Sequence, residues 1–321
     1  MLAYRIEQLT KVYKPQGVVA NNNISLEITQ GELFGIFGPN GAGKTTLVRQ
    51  MAGLLRPTSG QIYLFEHDVI ANPSIVPHYV GYYGQKVLAL EAHKFWEVLY
   101  ITGLLRGQAK AAARQHMSTL IETFGLEKLA DRLISQLSGG ERRLAALLAT
   151  FMGDSPILIL DEPTNELDPT RRQQVWQYLR ELNRERGTTI VLVTHNLLEA
   201  ESVVDRVVII DRGRVQALGT PGELKRQVAD NVRLEIRLRV GCNQDAESFL
   251  AQLPGSAQVG PYRWQITVSK DRASSLLSTV LEELSPETVD DFRLTTLTLE
   301  DVYIHVTGKA WEGTAQDVEG D

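Results

Sequence analysis

The sequence is nearly free of cysteine, because Cys242 is the only one among 321 residues. A single thiol cannot close a disulfide within the chain, and nothing in the sequence indicates an oxidising compartment. Long apolar runs are missing too: the strongest, residues 157–160 and 190–193, fall far short of the roughly 20 residues that cross a bilayer. The chain is therefore not expected to span a membrane itself.

The sequence also has no surplus of positive charge. Its 33 Lys and Arg residues face 39 Asp and Glu residues, and the formal net charge of -6 lacks the basic footprint of a nucleic-acid-binding protein. Residues 1–7 lack the apolar stretch of a secretory signal, so we expect the protein to stay inside the cell. With 43% apolar and 22% charged residues, the composition is that of a folded globular protein.

Apolar patterning predicts a layered α/β core within residues 1–227. Alternating or wholly apolar runs predict strands at residues 2–6, 24–28, 32–37, 157–160 and 189–193. The first two are typical of half-buried antiparallel strands, and the last two of central parallel strands flanked by helices. A glycine-rich loop opens a helix predicted at residues 44–55, and the pattern from 88 to 152 indicates a helical subdomain.

The pattern changes near residue 228, where a second, small α+β domain is expected to begin. Strands are predicted at residues 232–240, 262–268 and 292–297, and helices at 246–253 and 274–284. This domain would extend to residue 308. The remainder, residues 309–321, is polar and acidic and is expected to be disordered.

A phosphate-binding loop follows the strand predicted at residues 32–37. Residues 38–45 read Gly-Pro-Asn-Gly-Ala-Gly-Lys-Thr, which is the P-loop pattern in its required place between a strand and a helix. Backbone N–H groups and the helix N-terminus would surround phosphate oxygens, Lys44 would reach the β- and γ-phosphates, and Thr45 would ligate magnesium. The alternative is a glycine turn that only caps a helix. The residues expected to bind ATP in this segment are Gly38, Pro39, Asn40, Gly41, Ala42, Gly43, Lys44, Thr45 and Thr46.

Two adjacent carboxylates, Asp161 and Glu162, end the strand predicted at residues 157–160. Ligands of α/β sheets bind at the carboxyl ends of the strands, which is where this pair would lie. Asp161 would hold magnesium through a water molecule, and Glu162 would accept a proton from the attacking water. The structural alternative is a helix N-cap followed by a solvated acid.

A second helix start, the sequence Leu-Ser-Gly-Gly-Glu at residues 137–141, is also suited to an anion. Ser138 stands at an N-cap position, and Gly139 and Gly140 would allow a phosphate to approach closely. One ATP would already occupy the P-loop of the same chain. We therefore expect this segment to meet the γ-phosphate of an ATP held by another subunit, which predicts a dimer with ATP between its two chains.

Together these segments resemble the motifs of ABC transporter ATPases. The P-loop, the Leu-Ser-Gly-Gly signature, Leu-Asp-Glu-Pro-Thr at residues 160–164 and Thr194-His195 occur in the family's order and spacing within residues 1–227. The resemblance implies a P-loop NTPase fold with an antiparallel β subdomain and a helical subdomain. It also implies ATP and magnesium as cofactors and ATP hydrolysis as the activity.

The resemblance assigns roles to four further residues. It implies that His195 contacts the γ-phosphate and that Gln85 senses magnesium and the attacking water. It also implies that Tyr13 stacks on adenine and that Asp168 lies in a loop that crosses between the subunits. Without the resemblance, Tyr13 could be a core aromatic, Asp168 a helix N-cap, His195 a structural residue and Gln85 a solvated one.

Two residues depart from the family pattern. Glu141 ends the signature where Gln is commonest, and Gly84 precedes Gln85 where Pro is common. Neither position carries the chemistry directly. A carboxylate near a triphosphate would be unfavourable if it pointed toward the phosphates, so Glu141 bears on how firmly the dimer closes.

The end of the second domain carries a further resemblance. Residues 298–308 are similar to the ending of drug-resistance-type ABC exporter ATPases, which have a small appended domain there. This implies a peripheral subunit at the cytoplasmic face of the membrane that powers export through a separate transmembrane permease, with a second, identical ATPase chain as partner. The permease would dock near residues 88–106, where Tyr100 and Leu104 are candidates. Import, and an ATP-dependent interaction module without turnover, are the alternatives.

Overall fold

The computed structural model describes residues 1–84, 91–197, 201–228, 231–241, 244–284 and 287–308. Gln85, Cys242 and the tail at residues 309–321 lie outside the described residues. The strands are β1 (Leu2–Tyr13), β2 (Val18–Thr29), β3 (Leu33–Phe37), β4 (Ser59–Leu64), β5 (His67–Asp68), β6 (Val80–Tyr83), β7 (Ile157–Asp161), β8 (Thr189–Thr194), β9 (Arg206–Asp211), β10 (Arg214–Gly219), β11 (Asn231–Leu238), β12 (Ser256–Gly260), β13 (Arg263–Ser269) and β14 (Val289–Thr296). The helices are α1 (Lys44–Met51), α2 (Val76–Tyr79), α3 (Phe95–Leu105), α4 (Lys110–Thr123), α5 (Gly139–Phe151), α6 (Pro169–Arg186), α7 (Pro221–Val228), α8 (Gln244–Gln252), α9 (Lys270–Glu283) and α10 (Leu299–Thr307).

The described chain forms two compact units, and the first ends at Thr220. It is built on a six-stranded sheet in the order β10-β9-β3-β8-β7-β6. Strands β3, β7 and β8 are buried along their whole length and pair in parallel, as continuous apolar runs predict. The carboxyl ends of these three strands share one edge of the sheet. The P-loop, the carboxylate pair and His195 follow them and therefore meet at that edge.

A second, antiparallel sheet lies in the same unit, in the order β2-β1-β4-β5. Its apolar face contributes to one core with α1 and the large sheet, in which Tyr4, Leu47 and Ile159 are fully buried. The Tyr4 hydroxyl donates a hydrogen bond to the Met51 carbonyl at 3.1 Å, so its polar end is satisfied inside the core. Burial of each large apolar side chain contributes about 1.5–3 kcal/mol. This sheet fixes the P-loop helix from one side.

Helices α3, α4 and α5 form the helical part that the sequence predicted. Helix α3 packs against both α4 and α5. The rings of Phe124, after α4, and Phe151, at the end of α5, contact the Tyr178 ring of α6 with centroids 5.4 and 5.1 Å apart. These aromatic contacts anchor the helical part on α6, which precedes β8 in the large sheet.

The second unit contains a four-stranded antiparallel sheet in the order β12-β13-β11-β14. Its core is made by apolar residues of the sheet together with residues of α8 and α9, such as Leu234, Leu250 and Val280. Helix α7 packs against α10 and buries Leu224. The structure therefore groups α7 with this unit, whereas the sequence placed the start of the second domain at residue 228.

Several predicted element ends were wrong: the first strand extends to Tyr13 instead of residue 6, the second begins at Val18 instead of residue 24, and helix α9 begins at Lys270 instead of residue 274. The helix predicted to reach residue 55 ends at Met51, because the chain turns at Gly53 with a left-handed φ of 69°. The strand predicted to reach residue 240 ends at Leu238. In the described part of the chain, no helix combines the length and the apolar character that a membrane crossing demands.

Candidate active site

The P-loop takes a conformation that only glycine allows at two of its positions. Gly38 and Gly43 have φ of 154° and 99°. A Cβ on Gly38 would lie 2.1 Å from the Ile210 carbonyl oxygen, and one on Gly43 would lie 2.0 Å from the Ala20 carbonyl oxygen. The loop thus lies between β9 and β2, with no room for a side chain at these two glycines. Helix α1 begins directly after it.

Lys44 is buried and turns back onto the loop. Its Nζ donates hydrogen bonds to the carbonyl oxygens of Gly38 at 2.6 Å and Pro39 at 2.9 Å. Burial lowers the pKa of Lys44, while the nearby carboxylates of Glu162 and Asp161 oppose that shift. The ammonium group is therefore positioned by the loop backbone and faces the two acids across the site.

Asp161 is buried at the end of β7 and carries a perturbed pKa. The pKa of this carboxyl is raised from 3.8 to about 6, chiefly by desolvation; Thr45 and Lys44 oppose the rise, and Glu162 adds to it. Neither carboxylate oxygen makes a hydrogen bond of ordinary geometry with the described residues. A buried carboxylate left in this state is suited to a cation ligand, because a cation would offset its desolvation.

Glu162 is paired with His195. The Glu162 Oε1 lies 2.9 Å from the His195 Nδ1, and the Glu162 backbone N–H donates to the Val193 carbonyl at 2.9 Å. Strands β7 and β8 are parallel neighbours, so the residue after β7 necessarily lies beside the residue after β8. The other carboxylate oxygen, Oε2, is buried and has no hydrogen-bond partner among the described residues. Glu162 has a left-handed φ of 55°, which sets its side chain at this place.

Tyr13 lies half-buried beside α1 rather than in the core. Its hydroxyl is 3.4 Å from the Thr46 hydroxyl, and the Lys11 Nζ lies 5.5 Å from the centre of its ring. The ring therefore stands at the end of β1 next to the last P-loop residue. This position is compatible with the predicted stacking on adenine and does not support the alternative of a buried core aromatic.

The signature segment forms a capped helix start. Ser138 and Gly139 are exposed, and the Ser138 hydroxyl accepts a hydrogen bond from the Glu141 N–H at 3.3 Å. The Glu141 carboxylate in turn accepts from the Ser138 N–H at 2.8 Å, which completes a capping box. This bond is the main cause of a lowered pKa for Glu141. The unusual carboxylate is thus directed back to its own helix.

Asp168 caps α6, and the loop before it carries a residue that the sequence reasoning missed. The Asp168 Oδ1 accepts from the Arg171 N–H at 3.0 Å, with Pro169 at the first helical position, which is the N-cap alternative. In the same loop, Glu166 accepts two hydrogen bonds from Arg143 of α5, both at 2.7 Å. No periodicity or motif in the sequence indicates that pair.

The structure thus brings together the P-loop, Asp161, Glu162 and His195 at one edge of the sheet. It does not bring the signature residues into contact with them within the described chain. Gln85 lies outside the described residues, so its predicted role stays a prediction.

Known proteins share these features. A family model described as ABC transporter matches residues 21–165. The daunorubicin/doxorubicin resistance ATP-binding protein DrrA of Streptomyces peucetius is 38% identical over 313 residues, covering 94% of this chain and 91% of that protein. The chain belongs to the ABC transporter ATP-binding family. Phospholipid-transporting ATPase ABCA7 of Homo sapiens is 32% identical over 323 residues, which are 98% of this ABC chain but 15% of ABCA7.

Solved ABC structures share the fold. A dimeric ATP-binding cassette in a post-hydrolysis state, bound to ADP and Pi, has a TM-score of 0.62 at 25% identity and covers 68% of this chain and 98% of its own. An ATP-binding subunit of an ABC transporter has a TM-score of 0.65 at 26% identity and covers 70% and 92%. The predicted ABC ATPase fold is confirmed, and the chain is the ATP-hydrolysing subunit of an ABC transporter.

The residues around Asp161 fit the magnesium ion that the P-loop pattern implies. Magnesium in nucleotide enzymes is held by one or two protein oxygens together with substrate phosphates and water. Asp161 offers a buried carboxylate without an ordinary protein hydrogen bond, and Thr45 lies close enough to lower its pKa. Within the described residues there is no cluster of three or more acidic, His or Cys side chains that could hold a metal ion.

Proposed function

We propose that Glu162 is the general base of ATP hydrolysis and that His195 orients it. The observation that carries this proposal is the 2.9 Å contact between Glu162 Oε1 and His195 Nδ1, which leaves Oε2 as a buried, unpartnered acceptor among the described residues. A carboxylate with one oxygen fixed and the other available can accept a proton from a water molecule next to the γ-phosphate. Lys44 would stabilise the charge on the transferring phosphoryl group.

Magnesium would be held by Thr45 and, through water, by Asp161, and it would neutralise charge on the β- and γ-phosphates. The carboxyl of Asp161 must be ionised to do this. Its raised pKa shows that burial disfavours the ionised form, and a bound cation would offset this cost. Tyr13 would contact the adenine from the end of β1, and Gln85 would contact magnesium and the attacking water.

The proposal includes a second copy of the chain. Ser138 and Gly139 are exposed at the N-terminus of α5, where backbone N–H groups and the helix dipole favour an anion. The capping box occupies the N–H groups of Ser138 and Glu141, so a phosphate of the partner's ATP would be received by the N–H groups of Gly139 and Gly140 together with the Ser138 hydroxyl. Ser138, Gly139 and Gly140 would complete the partner's site, and the loop ending at Asp168 would cross between the two chains.

The motor would act on a separate membrane-spanning permease from the cytoplasmic face. The segment at residues 91–106 belongs to the helical part, where Tyr100 and Leu104 of α3 are partly exposed and could receive the permease. Because DrrA is named for resistance to daunorubicin and doxorubicin, we propose amphipathic, drug-like molecules as the cargo, moved outward. Residues 1–220 would form the ATPase domain and residues 221–308 a small appended domain.

The test is Glu162→Gln in the purified chain. Glutamine keeps the shape but cannot accept the proton, so hydrolysis should slow by about 10² to 10⁴ while ATP still binds. Size-exclusion chromatography in ATP and magnesium should then show the variant as a dimer. Glu122→Gln, at an exposed position on α4, is the control that should behave as the parent chain. Turnover by Glu162→Gln at the parent rate would contradict the proposal.

A further inference from the structure

Arg143 and Glu166 form a bidentate ion pair between the signature helix α5 and the loop that follows Glu162. The Arg143 Nε and Nη2 donate to the two carboxylate oxygens, each at 2.7 Å. The Arg143 side chain is only 21% exposed, whereas the Glu166 side chain is 62% exposed. Bidentate geometry is the case in which a partly exposed ion pair has a measurable effect, because two parallel hydrogen bonds fix the orientation of both groups.

Arg143 also reaches a third segment. Its guanidinium lies close enough to the Tyr83 hydroxyl to lower the pKa of that phenol, but burial raises this pKa by more, so Tyr83 stays neutral. Tyr83 is 4% exposed and is the last residue of β6. The chain continues from it through Gly84 to the predicted magnesium sensor Gln85. One guanidinium therefore links the ends of β6 and α5 with the loop after β7.

The loop after β7 is held close to α5 by its backbone as well. Glu166 has a left-handed φ of 62°, and a Cβ on Gly140 would lie 3.0 Å from the Glu166 carbonyl oxygen. Residues other than glycine rarely adopt this conformation unless their surroundings impose it. The ion pair to Arg143 is the side-chain contact that holds Glu166 there, and Glu162 lies four residues earlier in the same short segment.

We propose that Arg143 is a positioning residue that couples the two ATP sites of the dimer. This inference rests on the proposed function, in which Ser138 to Gly140 complete the partner's site and Glu162 serves the chain's own site. The clamp of Arg143 on Glu166 makes these two segments move together. Docking of the signature helix on the partner's ATP then sets the position of the chain's own general base.

The coupling predicts a particular kinetic result. Arg143→Ala leaves the P-loop intact, so KM for ATP should change by less than about twofold. The general base would be less well placed, and kcat should fall about 5- to 10-fold, which is the range expected when an oriented contact of this kind is lost. Because the two sites would no longer respond together, the Hill coefficient for ATP should fall toward 1.

The experiment compares four variants of the full chain by Mg-ATP hydrolysis and thermal unfolding. Arg143→Ala and Glu166→Gly each break the clamp, and glycine accepts the left-handed φ at 166. Their double mutant should be no slower than either single variant, because both act through one contact. Arg186→Ala, at the end of α6, removes another arginine–carboxylate pair, that with Asp154, and is the control that should keep the parent kcat and Hill coefficient.

Three outcomes overturn the inference. Parent-like kcat and cooperativity in Arg143→Ala would show that the clamp has no catalytic role. Additive losses in the double mutant would show that the two residues act independently. A fall in kcat that tracks a fall in Tm would show a general loss of stability instead of a loss of positioning. Glu162→Gln in the same assay separates this failure from a failure of the proposed function: if it still turns over, the assigned general base is wrong, whatever the clamp variants do.

Discussion

Asp161 gives a quantitative prediction about the balance between stability and function. Its pKa is raised from 3.8 to about 6 by burial, with Glu162 adding to the shift. The folded protein therefore binds a proton on this carboxyl more tightly than the unfolded chain does. Stability contributed by the protonated carboxyl is present below the unfolded pKa and is lost as pH rises toward 6. At neutral pH the ionised, buried carboxylate destabilises the nucleotide-free fold.

The magnitude follows from the size of the shift. About two pKa units correspond to about 3 kcal/mol between the fully protonated and fully ionised forms. About half of this, roughly 1–2 kcal/mol, develops between pH 5 and pH 7.5. Asp161→Asn does not titrate and has a similar shape, so its stability relative to the parent chain should improve by that amount over the same interval. The cost of burying the amide is the same at both pH values, so it cancels when the stability differences at pH 5 and pH 7.5 are compared.

The assay is urea unfolding of the parent and Asp161→Asn at pH 5 and pH 7.5, without nucleotide, with Glu122→Gln as control. The variant should also lose ATP hydrolysis. ATP with magnesium should stabilise its fold little more than ATP alone, since the carboxylate that fits the cation is gone. An equal stability difference at both pH values would refute the reasoning, because it would show that Asp161 titrates in the folded state as it does in the unfolded chain.

Three further results are expected. Gly43→Ala should abolish the ATP-induced rise in Tm, because the new Cβ would lie 2.0 Å from a carbonyl oxygen. Gly41 also has a positive φ, but a Cβ there would meet no atom within 4 Å, so Gly41→Ala should retain part of the rise. Glu141→Ala should lower stability by about 0.5–1 kcal/mol through loss of the capping box, with hydrolysis nearly unchanged. Burial lowers the pKa of His116, Asp154 opposes this and Arg186 adds to it, so the contribution of His116 to stability should be lost as pH drops below about 6.5. The Tm of His116→Gln should therefore rise relative to that of the parent chain when the pH is lowered from 7 to 5.

The sequence predicted the three central strands of the large sheet and the loops that follow them because their signals are local. Fully apolar runs of strand length mark β3, β7 and β8, and the motifs that follow them must meet at one edge once the strands pair in parallel. The sequence and the family resemblance predicted separate roles for Glu162 and His195 near the γ-phosphate, but not the contact between their side chains, which lie 33 residues apart in the chain. The capping role of Glu141 could have been read as well, since Ser-Gly-Gly-Glu fits the capping-box spacing.

Other features had no local signal. Strand β12 is mostly exposed and β10 is at most half-buried, so their apolar patterns are weak. The pair joins the mostly buried Arg143 to the exposed Glu166 on a different element, and in the sequence either residue alone has the pattern of a solvated surface charge. Contacts of this kind depend on how a loop packs on a helix, which periodicity does not encode. These features depend on contacts between residues that are far apart in the sequence, and local composition does not indicate them.

The carboxylates near these loops show why one of them is left for a cation. Glu141 accepts from a backbone N–H at its own helix start, Glu166 is held by an arginine, and Asp168 caps α6. Glu162 keeps one oxygen on a histidine and one available for a proton. Among the described residues, Asp161 alone of these five has both oxygens buried without an ordinary hydrogen bond. Burial of such a group is unfavourable until a cation binds. The position of Asp161 in the fold therefore favours binding of the magnesium ion that the nucleotide site requires.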